Sequence, residues 1–282
     1  MKIRIIGAES LGVRSMCCVV ETKTRRVLID PGVALAPRRS GLVPHKIEVG
    51  EAAAIREKIL NEVKMASDVV ISHFHGDHAP LLEPDPYQIN LIDFVAKLGV
   101  SALWVKGRAG NTRLMDERLR HFAQLLGDRM VEGEGKDTGD VTFSLPCQHG
   151  VEGRGMVMMT RVSEGNEVFV HGSDIQLLAE DGVEAIIAWK PDVVFVAGPP
   201  IYLSVLSKEA QNRAFINGVK LARAIGLLIV DHHLLRSETG REWLENLSAR
   251  SKARVVDAAT FMGLQTKLLE ANRKRLYEQF PV

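Results

Sequence analysis

Residues 68–80, DVVISHFHGDHAP, set a short apolar run directly against His73, His75, Asp77 and His78. A continuous run of this length suits a strand buried on both faces, the pattern of a sheet covered from either side. The four polar residues then fall where that strand ends and a loop begins. Three of the chain's nine histidines lie in this one turn. So many imidazoles in one turn have no packing rationale, and the turn reads as a metal-binding loop rather than a solvated one.

Strand and helix signals alternate around it. MKIRIIG, SMCCVVE and RRVLIDPG read as three short strands, with a hairpin at TKTR. AAAIREKILNEVKMA spaces Ile55, Ile59, Leu60 and Val63 at helical intervals and leads into the histidine-bearing strand. APLLEPDPYQ marks a loop, followed by LIDFVAKLG, SALWVKG and TRLMDERLRHFAQLLG as helix, strand and helix. In the second half VTFSLPCQHG, GMVMMTRV, EVFVHGSD and DVVFVAG read as strands and LSKEAQNRAFINGVKLARAIG as a helix. LLIVDHH is then a strand, before two closing helices from Arg241 and Ala258. No repeat, low-complexity segment or linker interrupts the alternation, so residues 1–282 are expected to form one α/β domain of mixed layers. A chain of 282 residues can bury a substantial core without help from a metal.

Composition narrows the function classes. Lys+Arg 36 against Asp+Glu 35 leaves no global electrostatic footprint for nucleic acid, and 46% apolar with 25% charged residues excludes disorder. The cysteines, Cys17, Cys18 and Cys147, are odd in number and irregularly spaced, which argues against a disulfide framework and fits a reducing compartment. The apolar part of the N-terminus is too short for a signal peptide, and no apolar run approaches the roughly 20 residues of a membrane span. A soluble cytoplasmic protein with no membrane partner is expected. Its oligomeric state stays open, a homodimer included.

Imidazole nitrogen and carboxylate oxygen bind zinc and its neighbours in the transition series, and a catalytic site keeps one position open for water. A tight turn fans alternate side chains apart, so His73 and His75 can converge on one ion while Asp77 and His78 point toward another. Two ions need further donors. His149 in LPCQHG, Asp174 in VFVHGSD and His232 in LLIVDHH each close a strand-like run, the placement from which rigid strands present site residues.

SHFHGDH matches the HxHxDH signature of the metallo-β-lactamase superfamily, and the later His, Asp and His come in that family's order. Asp30 in VLIDPG resembles the acidic residue that ends an early strand there, so the resemblance spans residues 30–233. It implies an α/β (α+β) fold, a four-layer αββα sandwich with a two-metal hydrolytic site at one edge. By that resemblance His73, His75 and His149 hold the first ion, Asp77, His78 and His232 hold the second, and Asp174 bridges them. Asp30 supports the ligands from behind. A hydroxide shared by the ions is the implied nucleophile, with Asp77 orienting it or accepting its proton. The implied cofactors are two divalent ions, Zn2+ first, with Mn2+ or Fe2+ as alternatives. The arrangement most resembles an archaeal group within the superfamily, which brings a fold and a site but no substrate.

Two departures stand out. Ser173 separates Asp174 from Gly172, where the family often writes the bridging Asp directly after Gly; Asp231 is the alternative bridge. His232 and His233 are adjacent, and strand alternation sends neighbours to opposite faces, so only one is expected to be a ligand. The layout of apolar strand, one polar residue and then His, shared with His73, favours His232.

The substrate is the least legible part. Residues 104–129 carry Lys106, Arg108, Arg113, Arg118, Arg120 and Arg129 against Asp116, Glu117 and Asp128, an excess of three positive charges. Beside two metals this suits a phosphodiester or phosphate ester, whether small molecule, nucleotide or nucleic acid, with Arg108 and Arg113 as contacts. A solvated helix face explains the same charges. Thioester and lactone hydrolysis are the alternatives. A di-iron oxidoreductase is disfavoured by His75, where such members tend to carry a carboxylate, and a non-catalytic metal- or nucleic-acid-binding scaffold by the full ligand set. Cys147 and His171 read as packing or supporting residues, and His45 and His121 as surface. GAESLG has glycines at phosphate-loop spacing but lacks the Lys-Ser/Thr that would hold phosphate.

Overall fold

Most of the apolar runs become short strands, of three to five residues for all but Cys147–Gln148, Met156–Val157 and Glu167–Ser173. The structure, a computed structural model, describes residues 1–99, 101–151 and 153–281. In the first half β1 (Lys2–Ile5), β2 (Cys18–Glu21), β3 (Arg26–Ile29), β4 (Asp68–Ile71), β5 (Ala102–Val105) and β6 (Met130–Glu132) form a six-stranded sheet in sequence order. It is antiparallel through β3 and parallel from β3 onward. The second half supplies β7 (Val141–Phe143), β8 (Cys147–Gln148), β9 (Met156–Val157), β10 (Thr160–Glu164), β11 (Glu167–Ser173), β12 (Val193–Val196), β13 (Leu227–Val230) and β14 (Arg254–Val256). β8 and β9 make a short ribbon, and the others a second sheet ordered β14-β13-β12-β11-β10-β7.

Alternation along the strands explains the layers. Within β4 the side chains of Val69 and Ile71 join one apolar cluster while Val70, between them, joins another. The first cluster holds Ile55, Ile59 and Val63 of α1 (Lys46–Met65), Phe94 of α2 (Leu91–Lys97) and Phe122 of α3 (Arg113–Leu126). The second lies between the sheets, where Ile5, Val20 and Ile29 meet Phe143, Phe169, Phe195 and Ile229. On the far side Val194, Val196 and Leu228 pack with Val183 and Ile186 of α4 (Glu180–Ala188), Leu221 of α5 (Lys208–Ala224) and Leu247 of α6 (Thr239–Ser251). The order is helices, sheet, sheet, helices. Full burial of each such side chain contributes about 1.5–3 kcal/mol, so the three apolar layers account for the sandwich without a metal.

Several elements differ from the sequence reading. VTFSLPCQHG is two strands, β7 and β8, broken around Pro146, which has no amide hydrogen to donate. GMVMMTRV is also two, because Met158 N–H turns to the Ser72 carbonyl (3.0 Å) and Met159 N–H to Ser144 Oγ (2.8 Å). Ala258 opens only a four-residue helix, α7 (Ala258–Phe261), and a further one, α8 (Arg273–Gln279), closes the chain. The short edge strands β6 and β14 and the helix α4 carry periodicity too brief to stand out in sequence. His45, expected at the surface, is fully buried. It caps α1 by accepting from Ile47 N–H, reaches the Phe280 carbonyl at 2.8 Å, and donates its own amide to Glu48 Oε2. Arg273 of α8 clamps that same Glu48 with both partners buried, so the C-terminal helix locks the start of α1.

Candidate metal centre

The site forms where both sheets end. Asp30 follows β3, the 72–78 loop follows β4, Asp174 follows β11, and His232 and His233 follow β13, while His149 comes from the end of the β8 ribbon. Three of these strand ends adopt a left-handed backbone at residues other than glycine: Asp30 (φ 51°), Ser173 (φ 51°) and His232 (φ 48°). Each such conformation costs on the order of 1–3 kcal/mol and persists where the surroundings over-determine it, typically at functional sites. Gly32 is needed for close approach, since a Cβ there would lie 2.5 Å from the backbone of His78.

The inserted Ser173 is a β-bulge. The register of β11 on β12 shifts between His171 and Ser173, and Ser173 N–H donates to His171 Nδ1 at 3.2 Å. The bulge turns the Ser173 hydroxyl inward and still delivers Asp174 to the histidines. Asp231 is bound instead to the backbone amides of Ser10, His232 and Ala258 (3.0, 2.7 and 3.0 Å), which makes it an anchor for the 231–233 turn.

Two sets of donor atoms meet on Asp174. On one side His73, His75 and His149 gather around Oδ2: His149 Nε2 lies 2.6 Å and His73 Nε2 3.5 Å from it, and His73 Nε2 is 3.0 Å from His75 Nδ1. On the other, Oδ1 is 3.2 Å from His78 Nε2 and 3.4 Å from His232 Nε2. His78 Nε2 and His232 Nε2 are 3.3 Å apart, as are His232 Nε2 and Asp77 Oδ2. Four ligands ~2.0–2.1 Å from one tetrahedral ion stand about 3.3–3.4 Å from each other. His232 Nε2 already stands at these spacings from Asp77, His78 and Asp174, and His78 Nε2 from Asp174. Asp174 Oδ1 is buried without a hydrogen-bond partner among the described residues, as a ligand oxygen between nitrogen donors would be. The donor types, their convergence and that orphaned oxygen all fit divalent metal ions.

A buried hub orients the histidines. Asp30 Oδ2 accepts from Ser72 Oγ (2.7 Å), Ser173 Oγ (3.0 Å) and His78 Nδ1 (2.9 Å), and Oδ1 accepts from Ser72 N–H (2.8 Å). His73 Nδ1 in turn lies 3.0 Å from Ser72 Oγ. With their Nδ1 protons engaged, His73 and His78 present Nε2 to the cluster, the tautomer a metal ligand needs. His171 is held by the Met16 carbonyl at 2.9 Å and supports the bulge.

Burial would raise the carboxyl of Asp30, but the His78 hydrogen bond together with the charges of His78, His171 and His73 outweighs it and holds the group at about 2. Asp77 and Asp174 are likewise held well below the usual carboxylate range, against burial, by His232 for the first and by His78 for the second. Burial pushes His73 and His233 down to about 4, helped by His78 for one and Arg236 for the other. Ionised carboxylates are thus paired with neutral imidazoles at His73, His75, His232 and His233, whereas His78 is pulled up against burial by Asp174 and Asp30.

The adjacent histidines do not follow strand alternation. β13 ends at Val230, and the left-handed turn at His232 brings both rings to Asp174, their centroids 4.7 Å apart. His232 Nε2 faces Oδ1 within the second set, whereas His233 Nε2 lies 3.1 Å from Oδ2 and borders the cleft. Cys147 is outside the donor groups; its Sγ points to the Leu145 carbonyl at 3.4 Å, and burial pushes its thiol up.

A cleft of about 420 Å³ opens over His75, His149 and His233, bordered by Thr112, Val151, Arg154, Gln176, Tyr202, Leu203 and Val205. Arg113 lines a second hollow that shares Thr112 and Gly153 with it. The basic segment is otherwise divided. Arg108 is exposed and lines neither hollow. Lys106 is buried, bonded to Asn111 Oδ1 at 2.9 Å and to the Ala109 carbonyl, and Arg118 braces the histidine loop through the Phe74 carbonyl at 2.7 Å. Arg154 and Arg236 went unnoticed in the sequence. Nothing local marks Arg154, and only its distance of four residues from His232 could have pointed to Arg236.

Solved structures share this architecture. An isothiocyanate hydrolase from Delia radicum gut bacteria matches 90% of this chain and 95% of its own with a TM-score of 0.53 at 12% identity. A metal-dependent hydrolase of the β-lactamase superfamily matches over 90% and 94%, with a TM-score of 0.53 at 14% identity. With the paired sheets and the strand-end histidines, these matches define a protein of the metallo-β-lactamase fold. No protein-family model matches the chain. It belongs to the UPF0282 family, being 50% identical over 284 residues to a UPF0282 protein of Methanosarcina mazei (100% of this chain, 93% of the relative). It is 36% identical over 293 residues to one from Pyrobaculum calidifontis (98% and 95%). No helix among the described residues is long and apolar enough to cross a membrane.

Proposed function

We propose that the chain is a binuclear metal-dependent hydrolase. The observation that carries this reading is the two-sided Asp174, whose Oδ2 faces His73 and His149 while Oδ1 faces His78 and His232. His73, His75 and His149 would hold the first ion, and Asp77, His78 and His232 the second, with Asp174 ligating both. When bound, a pair of divalent ions supplies Lewis acidity and lowers the pKa of water toward neutrality. Asp30, Ser72 and Ser173 keep the imidazole nitrogens aimed. Asp77 Oδ2 is taken up by His232 and Arg236, which leaves its Oδ1 as the oxygen able to orient water or accept its proton. Elemental analysis of purified protein is expected to find about two equivalents of zinc or another first-row metal per chain. One firmly held equivalent with no second at saturating metal would refute the binuclear reading.

Arg154 in the cleft and Arg113 beside it support a phosphate-bearing substrate. A second reading, thioester or lactone hydrolysis, draws on the apolar rim of Val151, Leu203 and Val205, which are 49%, 40% and 81% exposed. Assays with a phosphodiester, a thioester and a lactone reporter separate the two. On the first reading Arg113→Ala and Arg154→Ala are expected to raise KM for the phosphodiester roughly tenfold with metal content unchanged, since lost ground-state binding moves KM first, and Arg108→Ala leaves KM alone. Equal KM in all three variants would remove the phosphate reading. A protein that holds two metals and hydrolyses none of the reporters would point instead to a binding scaffold.

His232→Ala is expected to cost the second equivalent of metal and more activity than His233→Ala, because only His232 lies within the tetrahedral spacing of Asp77, His78 and Asp174. The opposite ranking in metal content would exchange their roles.

A further inference from the structure

Arg236 follows His232 by four residues, and its side chain is 5% exposed. Its Nη2 lies 3.1 Å from Asp77 Oδ2, and its Nε reaches Glu9 Oε2 at 3.4 Å. The same Nη2 is 2.9 Å from His232 Nε2 and 3.5 Å from His232 Nδ1. A donor on the in-plane lone pair of one ring nitrogen is remote from the other nitrogen, so closeness to both puts the guanidinium over the ring face. The lone pair that faces Asp77 and Asp174 stays free. Arg236 thus touches two of the four residues assigned to the second position without occupying their donor directions. Among the described residues no guanidinium or ammonium group lies within hydrogen-bond distance of the first position: the ring nitrogens of His73, His75 and His149 meet Ser72, one another and Asp174.

A guanidinium cannot shed its charge in a protein. Buried beside one of two otherwise similar metal positions, it repels a dication there with little screening. Its charge-assisted hydrogen bond also draws on the Asp77 oxygen that would otherwise be given wholly to the metal. We propose that Arg236 is a resident cation that weakens the second position, Asp77, His78 and His232, relative to the first, so that the two positions fill in order. This rests on the two-metal reading above.

The test is calorimetric titration of metal-free protein with Zn2+, with elemental analysis to count equivalents. Wild-type protein is expected to fill in two separated steps. Arg236→Gln keeps a donor for Asp77 but removes the charge, and is expected to tighten the second step by at least ~10-fold while the first stays in place. Arg236→Lys keeps the charge and is expected to keep the steps separated. Because Arg236→Gln leaves Glu9 without its cation and can fail to fold, Glu9→Gln/Arg236→Gln replaces both charges with amides, and the second step is expected to tighten there too. A residue that merely positioned its neighbours would give the opposite sign, a weaker second step. A second step that weakens or stays unchanged in a folded neutral variant overturns the inference and leaves the two-metal reading standing. Wild-type protein that never takes a second ion overturns both.

Discussion

Asp174→Ala is expected to empty or greatly weaken the second metal position and to lower hydrolysis by at least ~10²-fold while the chain stays folded. The fold is expected to survive because, among the described residues, no hydrogen bond of this carboxylate holds backbone: its partners are His149 at 2.6 Å and His233 at 3.1 Å, and the sandwich is held by apolar layers. The function does not, because a carboxylate between two dications ligates both and offsets part of a repulsion that, in a desolvated cleft, reaches several kcal/mol even after screening. Asp174→Asn keeps the shape without the charge and is expected to be nearly as damaging. Metal stoichiometry and kcat, beside circular dichroism, decide the matter. A variant with two tightly held ions and near-normal turnover would assign the bridge to another acid. Asp231 is poorly suited to that, tied as it is to three backbone amides.

The second large effect is expected at Asp30, which is not itself assigned as a ligand but holds the proposed ligand His78. Asp30→Asn puts an amide where one carboxylate oxygen accepts from His78, Ser72 and Ser173 at 2.7–3.0 Å. At least one of those donors then faces an N–H, and His78 and His73 lose the contacts that set their tautomers. Metal affinity and turnover are expected to fall about 10–100-fold, the usual scale for groups that orient ligands. Stability falls as well. The carboxyl sits at about 2 against an ordinary 3.8. A depressed folded-state value contributes stability that is present above pH ~4 and lost as pH drops through about 2, on the order of 2 kcal/mol. Melting of metal-free wild type and Asp30→Asn at pH 7 and pH 3, with zinc titrations at pH 7, measures both effects. Unchanged zinc affinity in the variant would show that the hub is structural only.

Much of the architecture was legible because it is written in local periodicity. Val69 to Ile71 announce a doubly buried strand, Ile55, Ile59 and Val63 a helix face, and the layers follow from where those faces must go. The proposed donors were named from their place after apolar runs, and the structure gathers them in groups, His73, His75 and His149 with Asp174, and Asp77 and His78 with His232. Positions where local pattern misled are those governed by backbone shape. His232 and His233 were expected on opposite faces, but the strand stops at Val230 and a left-handed turn follows, so period-two alternation no longer applies.

The chain by itself determined which atoms could bind a metal and which segments would carry them, since donor chemistry and apolar spacing are properties of residues and their near neighbours. Only the tertiary structure decided how those atoms face each other. Ser72 and Ser173, 101 positions apart, meet at 2.6 Å over Asp30, Arg236 reaches Asp77 across 159, and the buried His45 ring meets the Phe280 carbonyl across 235. The physical reason is the same in each case. A bulge, a positive φ or a buried ion pair is held against its local cost by contacts far along the chain, and no window of sequence contains both sides of that balance.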